Sequence, residues 1–390
     1  MKDRTLLMIP GPIEFEPAVL QALGAPTASH VSPDFLEAFG QAIERMRKLW
    51  DAPAAQPFVL AGSGTLAMDC VGANLIEPRD RALVVSTGVF GDRFEDLLGR
   101  YGAEVDVLRM PLGETANFDL VETALQTKDY KVMTATHVDT STAVRIDAER
   151  FGALGTEYGV LTVLDGVCSV GGEEIRQGAW GLDCVLTASQ KAVGVPPGLA
   201  LLVVSQKALQ VWEERRTKVA SYYADWGKWL PVMIAYEKRV PSYFGTPPVN
   251  LISALDVSLG QILAEGLEVR FERHRRYGTA CRAAICALGL DQVPSSDDHA
   301  ANTLSAPRYP NGIRGADLLP KIREAGAILA GGLHPEIQSE YFRIGHMGAA
   351  RPGDLLATIG AIEAGLTSCG YRFEMGAGLA AAQTALFGCR

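Results

Sequence analysis

Residues 185–205 read VLTASQKAVGVPPGLALLVVS. Two apolar, β-rich runs flank a turn rich in glycine and proline, and the whole stretch holds one charge, Lys191. An ammonium taken out of water is costly unless it is paired or gives up its proton. The flanking runs set the fold class. Upstream, from about residue 40, come QPFVLAG, RALVVSTG, EVDVLRM, KVMTATHV and GVLTVLDG, then DCVLTAS and LALLVV. Helical stretches such as GTLAMDCVGANLI and RFEDLLGRYGA separate several of them. Near-continuous Val, Leu, Ile and Thr runs joined by helices predict an α/β fold, with a mostly parallel seven-stranded sheet between helices.

A chain of 390 residues is long for one core, so two domains are expected. The N-terminal IPGPIEFEP has three prolines in nine residues and reads as an extended arm over residues 1–20. The large domain is expected over residues 21–264. A long helical period follows the GTPPVN break and can bridge the domains. Beyond it, NTLSAPR and EYFRIGH read as strands and GADLLPKIREAGA and DLLATIGAIEAGLTSC as helices, a smaller α/β domain over residues 265–372. Residues 373–390 form an Ala/Gly-rich tail with no role assigned.

The net charge of −9, without a basic run, argues against nucleic acid and anionic membrane as partners. No apolar run approaches membrane-spanning length. The seven cysteines form no CxxC pair and read as small hydrophobes of a reduced intracellular protein. The first residues lack a signal or transit pattern, and LFGCR is not a peroxisomal signal. The cytoplasm is the default location, with peroxisome and mitochondrion left open. No His/Cys/Asp spacing suggests a metal.

In an open parallel sheet, ligands bind beyond the carboxyl ends of the strands. Gly62-Ser63-Gly64-Thr65 follows the first run and opens a helix, which suits an anion. Its fit to a dinucleotide fingerprint fails for want of an acid at the end of the next strand, so a single phosphate group is the better reading. A tight strand-to-helix turn is the plainer alternative. Phe90 follows a glycine turn at the same edge and can stack on a flat ring or simply belong to the core. Asp139-Thr140-Ser141-Thr142 follows the KVMTATHV run. Asp165 ends an apolar strand, where a carboxylate needs a cation or several hydrogen bonds. It can also cap a helix. Lys191 lies 26 residues further on, about one strand–helix–strand step, and reaches the same edge. A lysine in an apolar pocket loses its proton easily and becomes a nucleophile toward an aldehyde. A surface lysine with a buried stem explains that residue alone but not its companions. Amine, acid, aromatic ring and phosphate nest together suit pyridoxal 5′-phosphate. Lys191 can then move the proton at a substrate α-carbon. Arg343, in the apolar YFRIGH run, can pair bidentately with a carboxylate or serve in a structural ion pair. His137 and His346 read as structural histidines.

The motifs GSGTLA, STGVFGDR, THVDTSTAV, LDGVCSVGG, TASQKAVGVPPG, YFGTPPV and EYFRIGHMG stand in the order and spacing of a known family. Over residues 6–370 the chain resembles the alanine–glyoxylate and serine–pyruvate aminotransferases, class V pyridoxal phosphate enzymes of fold type I, with the fungal alanine–glyoxylate type nearest. The resemblance implies that Lys191 forms an aldimine with the cofactor and that Asp165 pairs with the pyridine nitrogen. It implies Phe90 on one ring face, where several relatives carry tryptophan, and Val167 on the other. Thr140 would lie at the ring hydroxyl. Ser63, Gly64, Thr65 and Gln190 would hold the phosphate, Thr65 standing where some members have histidine. Tyr243 and Thr246 would complete the phosphate site of a partner subunit, which makes a homodimer with shared sites obligatory. Arg343 would bind the substrate carboxylate.

The expected activity is ping-pong transamination from alanine or serine to glyoxylate, giving glycine and pyruvate or hydroxypyruvate. One carboxylate-binding arginine suits small monocarboxylates. A cysteine desulfurase needs a reactive cysteine on a mobile loop, and residues 325–345 contain none. A nicotinamide-dependent oxidoreductase is disfavoured by the missing ribose acid. A non-catalytic binder on the same fold is the third alternative.

Overall fold

A computed structural model describes residues 5–388; residues 1–4 of the expected arm and 389–390 of the tail lie outside the described residues. Each of the seven β-rich runs forms a strand of one sheet: β1 Gln56–Ala61, β2 Arg81–Ser86, β3 Glu104–Arg109, β4 Val132–Thr136, β5 Leu161–Asp165, β6 Cys184–Ala188 and β7 Leu199–Val204. Their order is β3-β2-β4-β5-β6-β7-β1. All neighbours are parallel except β7, which runs antiparallel to both β6 and β1. Strands β4 to β7 are buried along their whole length, which is why their sequences are continuously apolar rather than alternating. The edge strand β3 is half-exposed and carries Glu104, Asp106 and Arg109, charges that discourage pairing with another sheet edge.

Helices cover both faces. In Val89–Arg100 the buried residues Phe94, Leu97 and Leu98 recur at helical spacing and face the sheet. Pro33–Leu49, Gly64–Leu75 and Val249–Glu265 share the same apolar core. The chain leaves the sheet edge at β3 and re-enters on the far side of β2. That reversal opens a crevice at the carboxyl ends of β2 and β4, where a ligand finds both room and backbone donors.

The long helical period is broken once. Gly266 takes φ +87° between helices Val249–Glu265 and Leu267–Ala287. That conformation is open to glycine at no steric cost and ends the first helix. The second helix contributes to a separate apolar cluster with Ile322, Phe342, Ile359 and Leu366. Strands Leu304–Ser305, Phe342–Gly345 and Ala330–Gly331 form a small antiparallel sheet there. The sequence signalled the first two. Ala330–Gly331 escaped because a Gly-rich segment carries no β preference of its own.

The tail also has structure: helix Ala377–Phe387 packs on Leu267–Ala287 and on Pro352–Ser368. Glu363, 2% exposed, accepts from Gly376 N at 2.9 Å and Leu379 N at 3.1 Å. It thereby caps the first turn of that helix from a distance. The arm pairs Leu6–Leu7 in parallel with Ala327–Ile328, then runs without regular structure to a helix at Pro17–Leu23. The arm is therefore extended to residue 16 and helical after it, because proline suits a first helical turn. Among the described residues no helix is long and apolar enough to cross a membrane.

Candidate active site

Two strands of the large sheet and one of the small sheet deliver the central groups. Asp165 is the last residue of β5 and 2% exposed. Its Oδ1 accepts from Val167 N at 2.8 Å in a tight turn, so it caps no helix. Burial pushes its carboxyl up to about 7, and the nearby carboxyl of Asp139 works in the same direction. The Val167 N–H, Arg93 and Lys191 oppose the rise. Lys191 follows β6 in a turn closed by Gly194 N donating to Lys191 O at 2.8 Å. It is 8% exposed, and its amine is held below the ordinary lysine range, first by burial and then by Arg343. Cys168 and Asp165 act against that shift. Arg343 stands on the small sheet, and its Nε donates to Gly331 O at 2.9 Å and its Nη1 to Thr140 O at 3.2 Å. Both acceptors are neutral, and no carboxylate pairs with Arg343 among the described residues. Its guanidinium keeps its charge for an incoming anion.

The anion cradle lies at the start of helix Gly64–Leu75. Ser63 is its N-cap in extended backbone, and no side chain caps the helix. Its first N–H groups are therefore free for a phosphate. Gly64 is buried, and a Cβ there would meet Val167 Cγ2 at 2.8 Å, so glycine allows the cradle and the Val167 turn to touch. Exposed Thr65 accepts from Arg93 at 3.2 Å, and the Arg93 guanidinium lies 4.8 Å from the centre of the Phe90 ring. Gln190 Oε1 is buried without a partner. Tyr243 and Thr246 are not part of this cluster. They form an exposed pair on the surface, hydroxyl to hydroxyl at 3.2 Å, with Tyr243 62% exposed.

The sequence places Asp139 and Ser141 at this edge without a role, and it does not single out Tyr341. Asp139 is fully buried and accepts from Phe90 N at 2.9 Å, Gly91 N at 3.2 Å, Ser141 N at 2.9 Å and Ser141 Oγ at 2.5 Å. Ser141 Oγ in turn accepts from Val89 N at 3.0 Å. This pair caps the helix that carries Phe90 and fixes the ring. The Asp-x-Ser spacing is a turn signal, but the helix it caps lies some 50 residues earlier in the chain. Tyr341 is fully buried and donates to Ser141 O, while its oxygen accepts from Leu333 N at 2.8 Å and His334 N at 3.0 Å. The turn beside Phe90 and the strand bearing Arg343 are thus tied together. Cys168 is buried among Ile13, Ala192, Tyr341 and Met347. Burial raises its thiol pKa, which keeps it protonated. His137 and His346 are fully buried, and burial depresses both to about 3, so both imidazoles are neutral.

Pyridoxal phosphate fits this donor set. Asp165 Oδ2 has no donor among the described residues and can take a ring N–H. The uncapped helix end and Gln190 suit a phosphate, and the buried amine suits an aldehyde. The comparisons agree. The family model described as aminotransferase class V matches residues 19–342. The chain is 38% identical over 369 residues to alanine–glyoxylate aminotransferase 1 of Saccharomyces cerevisiae, covering 89% of this chain and 93% of that protein. It is 31% identical over 388 residues to the L-aspartate–glyoxylate aminotransferase of Paracoccus denitrificans, covering 98% and 96%. The crystal structure of an alanine–glyoxylate aminotransferase from Nostoc sp. superposes with a TM-score of 0.87 at 32% identity, over 94% of this chain and 96% of that one. Likeness of this extent, in sequence and in fold alike, means that the chain belongs to the class V aminotransferases, fold-type I enzymes that work with pyridoxal phosphate.

Proposed function

We propose that this protein transfers the amino group of alanine to glyoxylate, giving pyruvate and glycine, with serine as the alternative donor. The observation that carries the reading is the buried amine of Lys191 within the electrostatic reach of both Asp165 and Arg343. Bound there, pyridoxal phosphate supplies an aldehyde and an electron-withdrawing ring. Asp165 would hold a proton on the ring nitrogen, and Phe90 and Val167 would flank the ring. Ser63, Gly64, Thr65 and Gln190 hold the phosphate, and Thr140 borders the ring hydroxyl. Arg343 binds the substrate carboxylate and sets the α-carbon against Lys191. Lys191, low in pKa and shielded from water, takes the α-proton and later returns it.

The choice of a monocarboxylate donor is supported by the arginines. Arg109 is committed to Asp92 and Glu95. Arg93 is engaged with Thr65 and Phe90. Of these three, Arg343 has no carboxylate partner among the described residues, which supports a donor with a single carboxylate. We further propose a homodimer in which Tyr243 and Thr246 of the partner subunit complete the phosphate site; their exposure on a surface loop supports this. We also propose a large domain over residues 21–264 and a small one over 265–372; the two apolar clusters support this, with Ala382 and Leu386 of the tail joining the second. The described cysteines are free and mostly buried, which suits a reducing compartment, and we place the protein in the cytoplasm.

The test is spectroscopic and then kinetic. The purified protein should show a yellow band that borohydride bleaches and that Lys191→Ala lacks. Alanine, serine and aspartate are then paired with glyoxylate and pyruvate. Turnover led by alanine with glyoxylate is expected. A protein that binds no pyridoxal phosphate overturns the reading, and preference for aspartate overturns the monocarboxylate assignment.

A further inference from the structure

The segment Met8–Ile13 of the arm crosses the amine of Lys191, and the proposed reaction makes no use of it. It is clamped on both sides. Gly345 N, on the strand that carries Arg343, donates to Met8 O at 2.8 Å. A Cβ on Gly345 would meet Ile9 O at 2.2 Å and Pro10 Cα at 2.8 Å, so the arm lies directly on that strand. On the other side Ile13 N donates to Gln190 O at 3.3 Å, and Lys191 Nζ donates to the carbonyl of Pro10. Between these contacts Gly11 takes φ +121°. A Cβ on Gly11 would meet Lys191 Cδ at 2.6 Å, Cε at 2.8 Å and Nζ at 3.0 Å.

We propose that the Pro10 carbonyl is a positioning acceptor that holds the Lys191 amine whenever that amine is not bound to the cofactor, and that Gly11 is the residue that lets the two meet. The inference rests on the reading of Lys191 as the cofactor-binding lysine. A free lysine head on a four-carbon stem has many rotamers, and transfer of the α-proton needs one of them. The charged and titratable groups facing the amine are Asp165, Cys168 and Arg343. A carbonyl among them has a specific merit. It is neutral, so it directs one N–H without the strong hold on the ammonium form that a carboxylate partner exerts. The amine therefore stays able to give up its proton. Because the same segment is hydrogen-bonded to the strand of Arg343, one run of backbone sets the positions of amine and substrate carboxylate together.

Two variants displace the two partners separately: Gly11→Ala pushes the lysine, and Gly345→Ala pushes the carbonyl. With cofactor stripped, the pH dependence of pyridoxal phosphate uptake is followed at the yellow band. A hydrogen bond to the amine favours its charged form, so losing the bond lowers the pKa and exposes free amine at lower pH. The uptake midpoint should move down by about one pH unit in both folded variants. With cofactor restored, kcat for alanine should fall at least about tenfold, and the isotope effect from α-deuterated alanine should rise. A merely structural role for the arm moves neither the midpoint nor the isotope effect. Unmoved values in both folded variants overturn the inference. A third measurement needs no variant: a crystal structure of the wild type with pyridoxamine phosphate. It should place Nζ within about 3.2 Å of Pro10 O. An amine pointing elsewhere overturns the inference even if neither variant folds. A wild type that takes up no pyridoxal phosphate overturns the functional reading instead, which keeps the two failures distinct.

Discussion

Asp165→Asn should stabilise the cofactor-free protein at high pH while weakening its hold on the cofactor. In the fold the Asp165 carboxyl titrates at about 7, against 3.8 for an unperturbed aspartate. Between those values the folded state binds more protons than the unfolded one, so stability falls as pH rises from about 4 to about 7. A rise of roughly 3 pH units at about 1.4 kcal/mol each makes this loss on the order of 4 kcal/mol once the carboxyl is fully ionised. Asparagine keeps an oxygen for the Val167 N–H and has no charge to bury. The stability of the stripped variant relative to stripped wild type should therefore rise by about 3 kcal/mol between pH 4.5 and pH 8, the remaining ~1 kcal/mol being lost below pH 4.5. Urea unfolding of both proteins at the two pH values, at one protein concentration, reads the difference directly. With pyridoxal phosphate present the order should reverse, because an amide does not hold a proton on the ring nitrogen. Parallel pH profiles for the two stripped proteins would refute the reasoning, since they would mean that the Asp165 carboxylate is solvated in the fold. Asp139 is buried nearby and has a raised pKa of its own; because the two carboxyls repel each other, the substitution also eases its ionisation, which acts in the same direction as the expected gain at pH 8.

Asp139→Ala removes the acceptor of three backbone N–H groups, from Phe90, Gly91 and Ser141. It should cost about 3–5 kcal/mol in urea unfolding; a loss below about 1 kcal/mol shows that water replaces the carboxylate at little cost. Glu363→Ala leaves Gly376 N and Leu379 N without their acceptor and should loosen the C-terminal helix. Hydrogen exchange should rise across residues 377–387 and stability should fall by about 2–3 kcal/mol. Unchanged exchange there would mean that packing of Ala382 and Leu386 alone holds the helix.

Much of the candidate site was legible because the residues proposed to do chemistry sit where regular structure ends. Asp165 closes an apolar strand, Lys191 interrupts the most apolar stretch, and Gly62–Thr65 joins a strand to a helix. Each is a local anomaly, visible without knowing what packs against it. The residues that hold those groups in place were not legible. Asp139 acts on Phe90 across 49 positions, Tyr341 on Ser141 across 200, and Lys191 on Pro10 across 181. Neither Asp139 nor Tyr341 is anomalous in its own segment, and the acceptor of Lys191 is a backbone carbonyl that no side-chain pattern marks. Cys168 reads as one more small hydrophobe, and in the fold it is that, except that its neighbours are Thr140 and Lys191.

The sequence by itself therefore determined the seven strands, their parallel class and the edge where chemistry collects. Apolar periodicity and turn chemistry are local properties, and burial on both faces follows from them. Strand order, the antiparallel β7, the capping of Phe90 by Asp139 and the arm laid over Lys191 were decided only in three dimensions. They depend on which elements close the crevice, and so on the satisfaction of buried polar groups by donors distant in the chain. Pro10-Gly11-Pro12 looks like a simple breaker in the sequence. Set between Lys191 and Gly345, it is backbone that joins the amine to the strand of Arg343.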